Sequence, residues 1–385
     1  MPRPEDGRPG AWSVRPVATR MIFGPGVIDG LGPLAREMGG RRALVVTDPG
    51  VRAAGHAERG CGSLRAAGLE AEIFDGVEEN PTTRHVGSGT AAARAFAPDL
   101  LVGLGGGSAM DTAKGINFLL TNGGTMEDYW GTDRARRPML PSIGVPTTAG
   151  TGSEAQSYAL IEQEEGRRKM ACGDEKARFA AVILDPDLTR TLPRAVAAMS
   201  GLDALSHAVE SFVTTRATPI SRMYAREAFR LLANSFETAL QSPEDADARG
   251  RMLLGAHLAG CAIEQSMLGA AHACANPLTS RHAVPHGVAV LLTLPHVMRF
   301  NEAEAGGLYD ELRRAAGAGG GDGPLASRVE SLRSAAGVAA RLRDCGVDRA
   351  DLPALARDAA AQWTAEFNPR PAGEADLLAI YEAAY

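Results

Sequence analysis

The chain of 385 residues lacks the features of a membrane protein, a secreted protein or a nucleic-acid-binding protein. No run approaches the roughly 18 consecutive apolar residues that a membrane helix needs. Residues 1–20 are too polar and proline-rich for the apolar segment of a signal peptide. The 40 basic residues are outnumbered by 46 acidic ones, and no basic stretch with interleaved aromatics predicts a nucleic-acid groove. We therefore expect a cytoplasmic protein without nucleic-acid or membrane partners.

Cysteine and lysine are both scarce. The five cysteines are scattered and form no CxxC pair, so neither a disulfide framework nor a zinc ribbon is indicated. Only three of the 40 basic residues are lysine, namely Lys114, Lys169 and Lys176. Because ammonium and guanidinium are not interchangeable at a tight site, a lysine within a motif is a candidate functional residue.

The two halves of the chain have different hydrophobic patterns. From about residue 41 to 192, short β-branched runs alternate with helical stretches, which predicts a parallel βαβ sheet. The predicted strands are residues 43–47, 71–74, 100–104, 142–145 and 180–184, with a hairpin of 157–162 and 167–172. After residue 192 long helical patterns replace the strands. The predicted helices are residues 201–212, 219–240, 245–267, a segment around 272, 287–301, 329–345, 352–365 and 373–384. The sequence thus predicts an α/β domain of residues 1–192 and an all-α domain of residues 193–385.

A glycine-rich loop directly follows the predicted strand 100–104. It consists of Gly105, Gly106, Gly107 and Ser108, and a predicted helix begins after it. Glycines let the backbone approach a ligand closely, and the helix start offers unpaired N–H groups to an anion such as a pyrophosphate. Ser108 stands where the motif G-x-G-x-x-G needs its last glycine, so an ordinary tight turn stays open as the alternative.

Two more polar segments follow predicted strands. Residues 146–154 are dense in hydroxyls and small side chains, which favours a polar cradle beside the glycine loop over an ordinary loop. Asp48 ends another strand, where a carboxylate can accept hydrogen bonds from a ribose diol and repel a 2′-phosphate, favouring NAD over NADP. A turn role before Pro49 and Gly50 is an equal alternative for Asp48.

A carboxylate and a histidine lie one turn apart on a predicted helix of the second half. Asp203 and His207 are four residues apart, which places both on one helix face, as a metal chelate requires. A surface hydrogen bond between the two is the common alternative. His257 and His296 lie among apolar residues and are interpreted as core or helix-end histidines.

His272 and His286 are predicted to lie on separate elements, because Pro277 and Pro285 between them break a helix. Together with the first pair they would supply four nitrogen and oxygen ligands to a divalent transition metal. Without thiolate ligands, Fe(II), Zn(II), Mn(II) and Co(II) are all chemically acceptable.

In this order, the glycine loop, the threonine-rich segment, the Asp-x3-His pair and the two histidines resemble the iron-containing alcohol dehydrogenase family. The resemblance leans toward its group III branch of lactaldehyde reductases and short-chain alcohol dehydrogenases. It extends from about Phe23 to the C-terminus and includes residues 47–48, 75–82, 201–210, 294–301 and 368–370. It implies a Rossmann-like dinucleotide-binding domain, a helical metal-binding and substrate domain in a dehydroquinate synthase-like architecture, and an active site between them.

The resemblance also implies roles for individual residues. The implied ligands of the metal, usually iron, are Asp203, His207, His272 and His286. The implied NAD(H) contacts are Asp48, Asn80, Gly105, Gly106, Gly107, Ser108, Asp111, Thr147, Thr148, Thr151 and Lys169. Lys169 matches a lysine near the nicotinamide ribose and is also a candidate catalytic residue.

One position departs from the family pattern. The branch usually has a second histidine four residues after the third ligand, where this chain has Asn276. An amide forms hydrogen bonds but cannot act as a general acid or base near neutral pH. We therefore consider His282, in a loop between the ligands, or the cofactor ribose with water, as routes for the proton.

The expected reaction is hydride transfer between NAD(H) and a small alcohol or aldehyde whose oxygen is polarised by the metal. The resemblance favours a homodimer or a larger homo-oligomer. A metal- and NAD-dependent cyclase or lyase of the dehydroquinate synthase type is the alternative, although the lysine-poor helical half gives little sign of its basic pocket. An inactive binding protein and a metal-free reductase of the maleylacetate reductase type are disfavoured because all four ligand positions are intact.

Overall fold

The computed structural model describes residues 19–165 and 168–385. The strands are β1 (Arg20–Phe23), β2 (Arg42–Val46), β3 (Glu70–Phe74), β4 (Leu100–Gly105), β5 (Gly131–Thr132), β6 (Ser142–Pro146), β7 (Tyr158–Glu162), β8 (Lys169–Gly173) and β9 (Ala181–Leu184). The helices are α1 (Leu31–Glu37), α2 (Pro49–Ala53), α3 (His56–Ala66), α4 (Thr83–Phe96), α5 (Gly107–Asn122), α6 (Arg194–Val213), α7 (Pro219–Gln241), α8 (Ala246–Glu264), α9 (Ala270–His282), α10 (His286–Phe300), α11 (Glu302–Ala316), α12 (Leu325–Ala335), α13 (Leu352–Ala360) and α14 (Glu374–Ala384).

A parallel sheet forms the framework of the first half. Among the described residues it has six strands in the order β1-β9-β6-β4-β2-β3. From β2 the chain continues to β3 on one side and then crosses to β4 on the other, so the strand order reverses between β2 and β4. Ligands of such sheets bind at the carboxyl ends of the strands beside this reversal. The sheet therefore predicts a binding crevice where Asp48 and Gly105 meet.

Most predicted strands are confirmed, and the hairpin of β7 and β8 is antiparallel as expected. The edge strand β1 was not predicted, because its four residues are mostly exposed and show no alternation of apolar and polar side chains. The predicted start of the second hairpin strand at Arg167 lies outside the described residues. Residues 1–18 of the predicted first domain do so as well.

The second half is helical, as predicted, but several helix boundaries differ. Pro277 lies inside α9 rather than ending it. It is buried there together with Leu278, and this packing outweighs the backbone hydrogen bond that a proline removes. The break comes at Ala283, whose φ is 53°, and Pro285 then precedes α10. His272 and His286 accordingly lie on separate helices.

Other helical predictions need correction. Helix α11 was not predicted at all. The helix expected over 329–345 ends at Ala335, because the chain turns at Gly337 with a φ of 72°. Helix α6 begins at Arg194, earlier than the expected residue 201. Its added first turns follow directly from the loop after β9.

The core joins the two halves. The largest hydrophobic cluster runs from sheet residues such as Val46 and Leu184 to helical residues such as Leu205 and Phe212. A second cluster covers the other sheet face and includes Leu64 of α3. The helical half thus packs directly against the α/β half, and the domain boundary at residues 192 and 193 stays a prediction. None of the described helices has the length and hydropathy of a membrane span.

Candidate metal centre and cofactor cleft

The glycine loop forms a very tight passage from β4 into α5. Gly105 has a φ of 154°, a conformation that side chains rarely adopt. A Cβ atom there would lie 2.8 Å from the Ala109 Cβ and 3.2 Å from the Asp48 Oδ2. Gly106 then precedes the first turn of α5, whose unpaired N–H groups open at this edge of the sheet. The loop has the geometry of an anion-binding turn.

The threonine-rich segment lies against this loop, as predicted. The backbone N–H of Thr147 donates to the Gly105 carbonyl over 2.9 Å. A Cβ on Gly106 would lie 3.5 Å from the Thr148 side chain, and one on Gly107 would lie 2.8 Å from the Thr151 side chain. Because Gly106 and Gly107 have no side chains, the side chains of Thr148 and Thr151 can lie close to the loop.

The structure confirms one of the two roles that the sequence left as alternatives for Asp48. Its Oδ1 accepts a hydrogen bond of 3.0 Å from the Val51 N–H and caps α2, so the turn role is correct. Its other oxygen faces the Gly105 turn across the strand reversal. Asn80 follows the neighbouring strand β3 with a left-handed φ of 53°. Asp48 thus lies at the carboxyl edge of the sheet, and Asn80 lies in the loop between β3 and α4.

Asp111 lies beneath the cleft rather than on its surface. It is 6% exposed, and its Oδ1 lies 3.8 Å from the Lys114 Nζ. Burial raises the pKa of Asp111 and lowers that of Lys114. Lys114 donates to the Ser153 and Tyr158 carbonyls over 2.7 and 2.6 Å. The pair therefore supports the segment after Thr151, and cofactor contact by Asp111 stays a prediction.

Four predicted ligands converge from three helices. Asp203 and His207 lie on α6, His272 on α9, and His286 begins α10. The Asp203 Oδ1 lies 3.5 Å from the His207 Nε2, 3.8 Å from the His272 Nε2 and 3.9 Å from the His286 Nε2. The His207 and His272 rings stack with centroids 4.9 Å apart. The structure thus brings ligand atoms of Asp203, His207 and His272 within 4.8 Å of one another, and His286 lies next to Asp203.

The donor atoms at this point fit a divalent metal. Asp203 Oδ1 and His272 Nε2 are buried and have no hydrogen-bond partner among the described residues. Leaving such atoms unpaired is costly, and a cation between them would satisfy both. Burial opposes ionisation of Asp203, but His207 and the other imidazoles outweigh it and hold its pKa below the usual value. Partial removal from water lowers the pKa of His286, which favours the neutral form that binds metals.

Family comparisons agree with this geometry. Residues 18–186 match the model of iron-containing alcohol dehydrogenase, and residues 197–385 match that of the C-terminal part of the Fe-containing alcohol dehydrogenase family. The 1,3-propanediol dehydrogenase of Klebsiella pneumoniae is 34% identical, over 94% of this chain and 96% of that protein. The chain belongs to the iron-containing alcohol dehydrogenase family.

Other relatives of the chain are also named as dehydrogenases or reductases. The lactaldehyde reductase of Escherichia coli K12 is 33% identical, over 96% of this chain and all of that protein (100%). The NAD-dependent methanol dehydrogenase of Bacillus methanolicus is 31% identical, over 94% and 97% of the two chains. The chain is therefore an oxidoreductase, and the cyclase alternative is not favoured.

Solved structures agree. The crystal structure of 1,3-propanediol oxidoreductase superposes with a TM-score of 0.91 at 33% identity, covering 95% of this chain and 98% of that one. The sulfoacetaldehyde reductase of Bifidobacterium kashiwanohense, solved in complex with NAD+, gives 0.88 at 27% identity, with 97% and 99% covered. The family and the candidate site together support NAD and a metal as cofactors.

Sequence reasoning missed Glu210, which contacts the predicted metal ligand His272. Its Oε2 lies 2.5 Å from the His272 Nδ1, and its Oε1 accepts 2.7 Å from the Ala271 N–H. Burial opposes its ionisation, but these donors hold the pKa of Glu210 below its ordinary value. Glu210 follows Asp203 by seven residues, two helical turns, so shared helix face was a signal that could have found it.

The three predicted catalytic residues lie at different places. Asn276 lies one turn after His272 on α9, and its Nδ2 donates to the Gln362 Oε1 over 3.0 Å. Lys169 is exposed on β8. Burial is the largest cause of the lowered pKa of His286, and the positive charge of Lys169 lowers it further. Lys169 therefore lies within electrostatic reach of the metal ligands.

His282 is not in the loop that the sequence suggested. It is the last residue of α9, ten residues after His272, which corresponds to about 15 Å along the helix axis. Its Nε2 lies 3.6 Å from the Asp351 Oδ2. The structure therefore does not bring His282 to the metal ligands.

Proposed function

We propose that this family member interconverts small aldehydes and alcohols with NAD(H) and a divalent metal, with Fe(II) as the first choice and Zn(II) as the second. The single observation that carries the proposal is the grouping of Asp203, His207 and His272, in which Asp203 Oδ1 and His272 Nε2 are buried without a hydrogen-bond partner among the described residues. The His286 Nε2 lies 3.9 Å from the Asp203 Oδ1 and would complete the ligand set. The relatives named as alcohol dehydrogenases and aldehyde reductases support the same chemistry.

The four converging residues would hold the metal. When bound, the metal supplies a Lewis acid that polarises the substrate carbonyl and stabilises the alkoxide. The His286 side chain is 30% exposed, whereas those of Asp203 and His272 are 8% and 5% exposed. A substrate would therefore approach the centre from the side of His286.

The cofactor would occupy the edge of the sheet. The N–H groups at the start of α5, with Gly106, Gly107 and Ser108, would bind the pyrophosphate. Asp48 would accept hydrogen bonds from the adenosine ribose. The remaining contacts that we propose for the cofactor are those of Asn80, Thr147, Thr148, Thr151 and Lys169.

Proton exchange does not involve His282 in this proposal, because His282 lies at the far end of α9. Asn276 lies one turn from His272 and would orient the substrate by hydrogen bonding, since an amide does not titrate near neutral pH. The hydroxyl proton is then exchanged with water or with a hydroxyl of the cofactor ribose.

An assay of NADH oxidation tests this function. The protein is first depleted of metal and then reloaded anaerobically with Fe(II) or Zn(II). The substrates are short aldehydes and 2-hydroxyaldehydes, with NADPH assayed in parallel. We expect turnover that needs metal and prefers NADH, and an Asp203→Ala variant that is inactive under both metals. Absence of turnover with either metal, or turnover that survives complete metal removal, would contradict the proposal.

The assembly and the location are also proposals. A homodimer or larger homo-oligomer follows from the family resemblance, and sedimentation velocity measures it directly. A cytoplasmic location is likewise proposed, and fractionation of the producing cells checks it.

A further inference from the structure

The start of helix α9, which carries His272, is held by side chains from two other parts of the chain. The first N–H groups of a helix have no partner within the helix. Here the Ala271 N–H donates to Glu210 on α6, and the Ala270 N–H donates to the Asn368 Oδ1 over 3.3 Å. A Cβ on Gly269 would lie 3.0 Å from the Glu210 Oε1 and 3.2 Å from the Asn368 Oδ1. Glycine at this position lets both side chains reach the helix start.

Glu210 also determines how His272 presents its ring. An ionised carboxylate only accepts hydrogen bonds, so the proton between Glu210 Oε2 and His272 Nδ1 belongs to the imidazole. The opposite nitrogen, Nε2, then faces the Asp203 Oδ1 at 3.8 Å. Glu210 is 3% exposed, so water does not compete for these bonds. The contact orients the ring and directs Nε2 toward the other ligands.

Asn368 is held in turn by a second buried amide. The Asn301 Nδ2 donates to the Asn368 Oδ1 over 3.1 Å, and the Asn368 Nδ2 donates to the Asn301 Oδ1 over 2.7 Å. Asn301 is 1% exposed and Asn368 is 3% exposed. Asn301 directly follows α10, the helix that begins with His286. The amide pair therefore connects the two helices that carry His272 and His286.

The C-terminal segment is itself anchored at this point. The Asn368 Nδ2 also donates to the Arg370 carbonyl over 2.6 Å. The Arg370 guanidinium stacks 3.9 Å above the Phe300 ring and donates to the Phe300 carbonyl over 2.9 Å. The conformation of residues 368–370 is thus tied to the end of α10. These contacts give a physical role to two sequence segments that the proposed reaction leaves unexplained, residues 294–301 and 368–370.

We propose that Glu210 and the Asn301–Asn368 amide pair are positioning residues for the metal centre. Glu210 selects the orientation and tautomer of His272, and the amide pair holds the start of α9 in register with α10. Neither contacts the substrate or the metal. The inference rests on the proposed function, because it takes His272 as a metal ligand.

Binding of Co(II) to the metal-depleted full-length protein tests the inference without an activity assay. We expect Glu210→Ala to lower Co(II) affinity about 10–100-fold, as loss of a partner of a ligating histidine does. Glu210→Gln keeps an acceptor of similar shape, so its Co(II) affinity should lie between those of the wild type and Glu210→Ala. Both variants should also shift the visible absorption bands of bound Co(II), because the orientation of His272 changes. Asn368→Ala should weaken binding less, because the Glu210 contact remains.

Glu264→Gln is the matched control. Glu264 is another buried carboxylate that accepts a backbone N–H, that of Ser157, over 3.0 Å, and its Oε1 lies 2.6 Å from the Arg178 Nη2. We expect this variant to lower thermal stability without changing Co(II) affinity or the absorption spectrum. Competition with a chromophoric chelator gives the affinities, and far-UV circular dichroism verifies the fold.

The outcomes separate the two proposals. If the wild-type chain does not bind Co(II), the metal site itself is wrong. If the wild type binds but both folded Glu210 variants keep its affinity and spectrum, the positioning inference is overturned. An equal loss of affinity in Glu264→Gln would also overturn it, because the effect would then reflect general stability.

Discussion

The Asp203 Oδ1 lies between 3.5 and 3.9 Å from three imidazole nitrogens. These distances are too long for good hydrogen bonds. A tetrahedral metal with bonds of about 2.1 Å separates its ligands by about 3.4 Å. The separations around Asp203 thus suit ligands of a shared ion better than direct hydrogen-bond partners, which supports the proposed metal centre. This residue-scale geometry distinguishes the site from a surface pairing of Asp203 with His207.

The pKa of His272 predicts how metal affinity depends on pH. Burial opposes protonation of His272, but the carboxylates of Asp203 and Glu210 outweigh it and raise its pKa to about 9. In the metal-free protein this imidazole is therefore protonated at pH 7, and metal binding must displace the proton. We expect affinity for Zn(II) to rise with pH, by up to about tenfold per unit, and to level off above about pH 9.

Isothermal titration in two buffers of different ionisation enthalpy checks this prediction by counting the protons released. A proton count near zero at pH 7, or an affinity that falls as the pH rises from 6 to 8, would contradict it. The range below pH 9 is the informative one, since free Zn(II) hydrolyses in more alkaline solution.

Asp48 predicts the choice between NADH and NADPH. A carboxylate near a 2′-phosphate costs about 1–3 kcal/mol at the dielectric of a protein surface. Asp48→Asn removes that charge and keeps a side-chain oxygen to cap α2, so the local fold should be preserved. We expect the ratio of kcat/KM for NADPH over NADH to rise at least about fivefold. Unchanged discrimination in steady-state kinetics would show that Asp48 serves α2 alone.

At the scale of elements, the turn between β4 and α5 forms the proposed cofactor-binding site. Gly105→Ala would place a Cβ 2.8 Å from the Ala109 Cβ at a φ of 154°. We expect a loss of about 1–3 kcal/mol in unfolding free energy and weaker NADH binding, because the turn has to move. Chemical denaturation and fluorescence titration with NADH measure the two effects.

Gly39→Ala serves as the control for Gly105→Ala. Gly39 also has a positive φ, 87°, but no atom lies within 4 Å of its Cβ position. It should lose stability through backbone strain while keeping its NADH affinity. Equal NADH affinity in both variants would refute the part assigned to the β4–α5 turn.

The whole molecule depends on contacts that join its two halves. The Arg178 Nη2 lies 2.6 Å from the Glu264 Oε1, and the two side chains are only 10% and 7% exposed. Ser157 donates to the same carboxylate through its hydroxyl over 2.8 Å. A buried ion pair at this position links the loop before β7 and the segment before β9 to the end of α8.

Arg178→Ala should destabilise the protein strongly, because Glu264 would remain buried without its cation. We expect a loss of about 3–5 kcal/mol in unfolding free energy. The exposed pair of Arg20 and Glu37, with side chains 55% and 64% exposed, provides the comparison. Arg20→Ala should cost less than about 1 kcal/mol. Denaturant titrations measure both losses of unfolding free energy. Similar losses for Arg178→Ala and Arg20→Ala would contradict the prediction that the buried ion pair contributes more to stability than the exposed one.

The predictable parts of this protein are those encoded by local pattern. Buried strands such as β4 are continuous apolar runs, because both faces of a parallel sheet are covered. The glycine loop could be placed because it follows such a run and precedes a helix. Asp203 and His207 could be paired because helical spacing places them on one face. Glu210 lies on the same helix face, which makes it a candidate, but its contact with His272, 62 residues away, is visible only in the tertiary structure.

Sequence alone determined the α/β and helical halves, the cleft-forming loops and the set of candidate metal ligands, since each depends on periodicity or short spacing. Only tertiary structure decided that α9 continues through Pro277, that His282 lies far from the centre, and that Asn301 pairs with Asn368. The physical reason is that packing and buried hydrogen bonds join residues distant in sequence, 67 positions apart for the amide pair. Such contacts outweigh local propensity wherever the side chains are removed from water.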